Sequence, residues 1–142
     1  MNDGASAAVL ASGKAVKKFG LKPLARIVDF ADASVDPVDF PIAPAEAIPK
    51  ILKKTGIKKD DIAMWEVNEA FSVVVLANIK MLEIDPAKVN MRGGAVSIGH
   101  PLGMSGSRII NSLVHHLNAG QYGMAGICNG GGGASAVLIQ KL

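Results

Sequence analysis

Apolar residues recur at helical spacing in several segments of the chain. In Ala45–Thr55, Ile48 and Ile51 share one face, three lysines lie on the opposite side, and Gly56 follows as a terminator. A shorter segment near the start carries similar signals, with Ser12 as a helix cap. Helices are therefore predicted over four segments: Gly13–Phe19, Ala45–Thr55, Glu69–Leu82 and Ser105–Asn118.

Runs of aliphatic and β-branched residues, bounded by glycine, proline or aspartate, predict strands between these helices. The last two runs are separated only by a glycine-rich turn, which indicates a hairpin. Five strands are predicted: Leu24–Val35, Ile62–Val67, Val89–Met91, Gly123–Cys128 and Ala134–Gln140. The third of these is short and leads into another glycine-rich turn. Strands that alternate with helices indicate an α/β layered fold with a mostly parallel five-stranded sheet.

Two segments depart from the simple pattern of amphipathic helices and strands. Asp36–Pro44 contains three prolines and is predicted to be a loop. The helix predicted over Glu69–Leu82 is apolar on nearly every side, including Phe71, Leu76 and Ile79. A helix without a polar face is expected to be buried inside a layered fold.

Composition narrows the classes of protein to which the chain can belong. Hydrophobic residues make up 49% of the chain, but no apolar run reaches 18 residues, so we do not expect a membrane span. The net charge of +3 favours an anionic substrate, whereas an aromatic content of 4% argues against binding nucleic acid. The single cysteine, Cys128, excludes an internal disulfide framework and a multi-cysteine metal site. The first residues, Met1-Asn2-Asp3, read as a start inside a longer protein, with no signal or transit peptide.

A glycine-rich stretch from Gly93 to Arg108 contains the most distinctive local chemistry. Pro101 disfavours the α conformation for His100, and the neighbouring glycines allow positive-φ turns and a close approach to a ligand. His100 is therefore predicted to lie on a stiff turn between a strand and a helix, where a proton-handling group needs little further ordering. Taken alone, a single loop histidine is more often without a catalytic role.

Three predicted loops follow strand ends and would bring an amide, an imidazole and a thiol together. They are Asn68–Phe71, Gly99–Gly106 and Cys128–Gly133. A thiol beside a histidine can become a thiolate that acts as nucleophile or base, and the amides of a glycine turn can donate to an oxyanion. The alternative is a buried core cysteine and a tight turn without a catalytic role. Neither glycine run matches a nucleotide-binding loop, because one lacks the Gly-Lys-Ser/Thr ending and the other precedes a strand.

Three motifs occur in the order and at the spacings seen in thiolases: Asn68-Glu69-Ala70-Phe71, Gly99-His100-Pro101-Leu102-Gly103 and Cys128-Asn129-Gly130-Gly131-Gly132. The chain therefore resembles the C-terminal half of the thiolase family over essentially its whole length, and most of all the mitochondrial biosynthetic type. That resemblance implies the thiolase-like layered fold and a location in the mitochondrial matrix. It also implies that the whole enzyme joins two acetyl-CoA molecules into acetoacetyl-CoA, or reverses this reaction, through an acyl-cysteine.

The resemblance also implies roles for individual residues. Cys128 would be the acid/base that removes a proton from the α-carbon of acetyl-CoA. His100 would activate the nucleophilic cysteine and form an oxyanion hole with a water held by Asn68. The backbone amide of Gly130 would contribute to a second oxyanion hole.

Substrate and ion binding are implied at three further positions. Phe71, with its neighbour Ala70, would line the channel for the pantetheine arm of coenzyme A. The backbone carbonyl of Val96 would bind potassium, as in the potassium-dependent members of the family. No covalently attached cofactor is implied, and the whole enzyme would be a homodimer or a homotetramer.

Two features depart from the family pattern. Arg92 stands before Gly93-Gly94 in place of a smaller polar residue, and it would either face solvent or disturb the loop. The thiolase nucleophile is a second cysteine in the N-terminal half, whereas Cys128 is the only cysteine here. The resemblance implies that residues 1–23 are the last elements of the N-terminal thiolase domain and that residues 24–142 are the C-terminal domain. Without the N-terminal half as a partner, the chain is expected to be inactive.

Two rival functions stay open at this point. The first is a degradative thiolase that acts on longer 3-ketoacyl-CoA, because the loops that set chain length lie mostly outside this sequence. The second is a noncatalytic interaction module that binds a thiolase subunit or the missing half, which the absent nucleophile supports.

Overall fold

The computed structural model of the chain describes residues 2–142. Met1, on which part of the expectation about the start of the chain rests, lies outside them. The described residues form five α-helices and four β-strands. In chain order these are α1 (Gly13–Phe19), β1 (Ala25–Ser34), α2 (Ala43–Thr55), β2 (Ile62–Val67), α3 (Ser72–Leu82), α4 (Ala95–Ile98), α5 (Ser105–His116), β3 (Tyr122–Cys128) and β4 (Gly133–Lys141).

Several helix boundaries follow from signals in the sequence. The Ser12 hydroxyl accepts a hydrogen bond from the Ala15 N–H at 3.2 Å, and Gly20 ends α1 in the left-handed conformation. Gly56 ends α2 in the same way. The segment predicted as a loop, Asp36–Pro44, instead forms a 3₁₀ turn that leads directly into α2, because proline is tolerated in the first turn of a helix.

The four strands form one mixed sheet in the order β1-β4-β3-β2. β2 and β3 are parallel, whereas β4 is antiparallel to both β1 and β3. The α/β class and the hairpin of the last two strands are confirmed, but the prediction of a mostly parallel five-stranded sheet is wrong. β4 returns from a tight turn and inserts between β1 and β3, so most of the pairing is antiparallel.

The fifth predicted strand, Val89–Met91, is reduced to one parallel bridge between Val89 and Trp65. Asn90 adopts a left-handed backbone conformation, with φ of 48°, which turns the chain away from the sheet. Its side-chain amide takes the place of a strand, since Oδ1 accepts from the Val67 N–H at 2.9 Å and Nδ2 donates to the Val67 carbonyl at 2.8 Å. The backbone N–H and carbonyl of Val67, at the outer edge of β2, therefore have hydrogen-bond partners without a further strand.

Helices cover both faces of the sheet, which gives the layered arrangement that the sequence predicts. On one face, Ile48 of α2 belongs to a core cluster with Trp65 and Leu138. On the other face, Leu113 of α5 belongs to a second cluster with Met64. The β2, β3 and β4 part of the sheet is thus buried between two helical layers, whereas Ile27 and Phe30 of the edge strand β1 are exposed. The carboxyl ends of the parallel strands β2 and β3 remain open at one edge.

The helix predicted to be fully buried is only half covered. α3 begins at Ser72 rather than Glu69, and its inner face, with Val74 and Asn78 buried, packs against the 3₁₀ turn and α2. Its outer face is open, with Leu76 64% exposed, so the prediction of complete burial is wrong for this chain. Nothing within residues 2–142 packs over that face. Among the helices of these residues, none combines the length and the apolar character that crossing a membrane would need.

Candidate active site

A groove of about 950 Å³ opens at the carboxyl end of β3. The loops after β2 and β3 and the turn before α5 meet there, as the strand-end argument predicts. Five of the residues proposed from the sequence line this groove: Ala70, Phe71, His100, Cys128 and Gly130. Asn68 is buried beside the groove and is only 3% exposed. Its side chain reaches the groove only indirectly, through its contact with the ring of His100.

His100 lies between two helices, because the apolar run before it forms the single turn α4. The prediction of a strand before this histidine is therefore wrong, although its stiff mounting is confirmed. Nδ1 of its ring lies 2.6 Å from the Ser105 hydroxyl, and Nε2 lies 3.4 Å from Nδ2 of Asn68. Its backbone N–H donates to Oδ1 of Asn2 at 3.1 Å. These contacts hold both the ring and the backbone of the histidine in place.

Arg108 connects α5 to the turn that carries His100. Its guanidinium donates to the Gly99 carbonyl at 2.6 Å and to the Ser105 hydroxyl at 3.3 Å. Burial, with the positive charge of Arg108 as a second cause, lowers the pKa of His100 below its ordinary value of 6.5. The imidazole is therefore neutral at neutral pH. Sequence reasoning missed the roles of Ser105 and Arg108, because their partners are other side chains and turn carbonyls.

Cys128 ends β3 and is 7% exposed. Burial raises the pKa of its thiol above 9.0, and the backbone N–H groups of Cys128 and Gly130 oppose this effect. No hydrogen bond joins Cys128 to His100 within residues 2–142. The resting thiol therefore keeps its proton at neutral pH, and a thiolate formed beside a histidine stays a prediction for this chain. The thiolate that such a thiol forms is a stronger base than an ordinary one.

The glycine turn after Cys128 is shaped by Asn129. Its Oδ1 accepts from the N–H groups of Gly131 at 2.9 Å and Gly133 at 3.0 Å. Gly132 has φ of 90° and lies against the Val35 carbonyl, so a side chain would not fit there. The bonds of Asn129 use other amides and leave out the N–H of Gly130, which lies close enough to the Cys128 thiol to oppose the rise of its pKa. An amide in that position can donate to a negative charge that develops in the groove.

Aromatic side chains form one wall of the groove. Phe71 stands at the rim, 61% exposed, and packs edge-on against Phe40 with 6.0 Å between ring centroids. Phe40 lies in the 3₁₀ turn and was not predicted, since no local pattern indicated that this proline-rich segment folds over the site. An exposed aromatic rim beside a thiol suits an amphipathic ligand arm.

Two residues singled out from the sequence lie away from the groove. The N–H of Val96 donates to Oε2 of Glu69 at 2.9 Å, in a separate pocket shared with Gly94. Arg92 is exposed to solvent, so of the two alternatives for this residue, the solvent-facing one is observed. The described residues contain no group of three or more His, Cys, Asp or Glu side chains that could hold a metal ion.

Residues 21–141 match the family model of the thiolase C-terminal domain. The chain belongs to the thiolase family. It is 70% identical over 142 residues to the mitochondrial acetyl-CoA acetyltransferase B of Xenopus laevis, covering 100% of this chain and 34% of that protein. This thiolase chain thus spans about a third of the length of that relative.

Solved structures support the same assignment. The Acat5 thiolase of Ascaris suum, in complex with coenzyme A, superposes with a TM-score of 0.91 and 55% identity, over 93% of this chain and 35% of that one. The human mitochondrial 3-ketoacyl-CoA thiolase superposes with a TM-score of 0.89 and 45% identity, over 93% of this chain and 34% of that one. The thiolase fold of this C-terminal half is therefore established.

Proposed function

We propose that this chain is the C-terminal catalytic half of a mitochondrial acetyl-CoA C-acetyltransferase. The observation that carries the proposal is the groove in which Cys128, His100 and Gly130 meet. The 70% identity to mitochondrial acetyl-CoA acetyltransferase B supports both the acetyl substrate and the mitochondrial location. The complete enzyme would join two acetyl-CoA molecules into acetoacetyl-CoA, or cleave acetoacetyl-CoA with coenzyme A.

In this mechanism Cys128 transfers a proton from and to the methyl carbon of acetyl-CoA. Its thiolate removes a proton from the methyl carbon of acetyl-CoA, and the thiol returns it during thiolysis. Burial raises the pKa of Cys128, which makes its thiolate a stronger base toward a weak carbon acid. The N–H of Gly130, which acts on the Cys128 thiol, would also stabilise the enolate oxygen of the thioester.

His100 and Asn68 would serve the acyl-transfer half of the reaction. A neutral imidazole can accept the proton of a cysteine nucleophile at Nε2 and then donate it to the thioester oxygen as negative charge develops. Nδ2 of Asn68, 3.4 Å from Nε2, lies where it could hold a water in the same oxyanion hole. Both roles need a fixed ring, which the contacts to Ser105 and Asn2 support.

The nucleophile would come from an N-terminal half, because Cys128 is the only cysteine of the sequence. We assign residues 1–23 to the end of that N-terminal domain and residues 24–142 to the C-terminal domain. The open apolar face of α3, with Leu76 at 64% exposure, supports contact with further protein. The same need for apolar coverage suits a homodimer or homotetramer of the whole enzyme.

Coenzyme A would enter along the aromatic wall of the groove. Phe71 and Ala70 line it and would contact the pantetheine arm, which has both apolar and amide character. The Acat5 thiolase of Ascaris suum, which superposes on this chain, was solved with coenzyme A. We propose no covalently attached cofactor.

The potassium ion implied by the resemblance has an incomplete ligand set here. Val96 would supply one carbonyl oxygen, and no acidic cluster lies near it within residues 2–142. Hard cations such as Ca²⁺ are bound by about six or more oxygens. The remaining oxygen ligands would have to come from other groups, and no step of the mechanism passes through the ion.

The test uses a chimaera in which this chain replaces the matching segment of the Xenopus laevis relative. Cys128→Ala should abolish exchange of acetyl-CoA methyl protons with deuterated water, measured by NMR, while radiolabelled acyl-enzyme still forms. His100→Ala should impair both reactions, by about 10²–10⁴-fold, as expected for the loss of a general acid–base group or an oxyanion donor. If Cys128→Ala keeps exchange and loses acylation, the assigned roles are reversed. The isolated chain is the negative control and should show no turnover.

Assays of the same chimaera distinguish two other candidate functions. The 45% identity to human mitochondrial 3-ketoacyl-CoA thiolase favours a degradative thiolase as the second candidate. The chimaera would then cleave long 3-ketoacyl-CoA at a higher kcat/KM than acetoacetyl-CoA. The single cysteine favours a noncatalytic interaction module as the third. In that case the chimaera would fold and bind coenzyme A without turnover.

A further inference from the structure

We propose that Ser105 is a positioning residue that holds the His100 ring as its Nδ1–H tautomer and leaves Nε2 as the acceptor. Its catalytic consequence rests on the proposed function, but the tautomer itself is a property of this chain. Ser105 is the first residue of α5, is 0% exposed and lies 2.6 Å from Nδ1 of His100.

The Ser105 hydroxyl has three hydrogen-bond partners, which together fix the direction of each bond. A serine hydroxyl has one hydrogen to donate and two lone pairs that accept. The Pro101 carbonyl, 2.9 Å away, can only accept, so it takes the hydrogen. The Arg108 guanidinium, 3.3 Å away, can only donate, so it takes one lone pair. Only a lone pair remains for His100, and Nδ1 must therefore be the donor.

The contact at the opposite edge of the ring agrees with the same tautomer. Nε2 of His100 faces Nδ2 of Asn68 at 3.4 Å. In this orientation of the amide its nitrogen donates, so Nε2 offers a lone pair. The pKa of His100 is lowered by burial, so the ring is neutral and has one defined tautomer at neutral pH.

The geometry also gives Ser105 little freedom to move. Its backbone N–H donates to the same Pro101 carbonyl at 3.0 Å, and its side chain is fully buried. The hydroxyl is therefore placed by the first turn of α5 and by the Pro101 turn, rather than by the histidine. In the proposed reaction, this leaves Nε2 ready to accept the proton of a cysteine nucleophile while Nδ1 keeps its own.

The primary test is NMR of the ¹⁵N-histidine-labelled full chain, at a pH where the imidazole is neutral. Long-range ¹H–¹⁵N correlations distinguish the protonated ring nitrogen from the bare one. We expect Nδ1 of His100 to carry the hydrogen and Nε2 to carry none. A hydrogen on Nε2 would overturn the proposal. This measurement needs no substrate, so it can fail or succeed independently of the proposed acetyltransferase activity.

Variants then test whether Ser105 is the cause. Ser105→Ala should lower the Nδ1–H fraction of His100, and Ser105→Thr, which keeps the hydroxyl, should preserve it. Ser112→Ala is the matched control, because it removes a hydroxyl from the same helix whose partner is Glu66 rather than His100. An unchanged tautomer in Ser105→Ala, or an equal change in Ser112→Ala, would refute the role of Ser105.

Kinetics of the chimaera supply the last readout. Ser105→Ala should lower kcat by up to about 10²-fold, the lower end of the usual loss of acid–base catalysis, with KM little changed. Ser105→Thr should restore most of that loss. If tautomer and kcat do not change together across these variants, Ser105 does not act through the histidine ring.

Discussion

Replacing Gly94 by alanine is expected to displace Glu69 from its site. Gly94 has φ of −115° and ψ of −171°, an extended conformation that alanine adopts without strain. An added Cβ would, however, overlap the Glu69 carboxyl group, at 2.5 Å from Oε1. That carboxylate accepts from Nδ2 of Asn90 at 3.0 Å and from the Val96 N–H at 2.9 Å. The glutamate must rotate into solvent and lose both bonds.

The expected loss of stability follows from those two hydrogen bonds. Each hydrogen bond to a charged group contributes about 1.5–3 kcal/mol, and the half-buried position of Glu69 favours the lower value. Alanine also reduces the entropy of the unfolded chain, which returns about 0.4–1 kcal/mol. We therefore expect Gly94→Ala to lower the free energy of unfolding by about 2 kcal/mol.

The assay is urea unfolding of four proteins that form a double-mutant cycle: the parent chain, Gly94→Ala, Glu69→Ala and the double variant. In the Glu69→Ala background the new Cβ meets no carboxylate. Gly94→Ala should then be neutral or stabilising by about 0.4–1 kcal/mol. An equal loss in both backgrounds would show that steric exclusion of Glu69 is not the cause.

Three other outcomes are expected. Burial raises the pKa of Glu66 above 4.5, so the folded chain binds that proton more tightly and loses stability as pH rises from 4.5 through the folded-state pKa. In Glu66→Gln the side-chain oxygen still accepts from Ser112, and this variant should be more stable than the parent at neutral pH. The difference in their free energies of unfolding, measured in urea, should vanish below pH 4.5, and a difference that persists there would contradict this explanation. The isolated chain should self-associate through the open face of α3, and Leu76→Lys should reduce its light scattering and dye binding. Phe71→Ala should raise the KM of the chimaera for acetyl-CoA about 10-fold with kcat nearly unchanged, because a large aromatic contact contributes about 1.5 kcal/mol or more.

The amino-acid sequence by itself determined the local structure of this thiolase half and the identity of its chemical groups. Ser12 and Gly20 define α1, and the apolar run Ile62–Val67 coincides with β2, because caps and periodicity act within a few residues. Strand ends also indicated which loops would meet, and the groove contains Cys128 and His100 as expected. The caps and strand bounds need only neighbours in the chain, and the choice of loops needs only the order of helices and strands.

The tertiary structure alone decided pairing, burial and protonation. β4 could have extended either sheet edge, but it inserts between β1 and β3, a choice that depends on contacts far apart in sequence. The side chain of Asn90 replaces a strand, and this depends on how closely it approaches Val67. The proton on Cys128 and the tautomer of His100 depend on desolvation and on hydrogen-bond partners that only the folded chain brings together, so no local pattern encodes them.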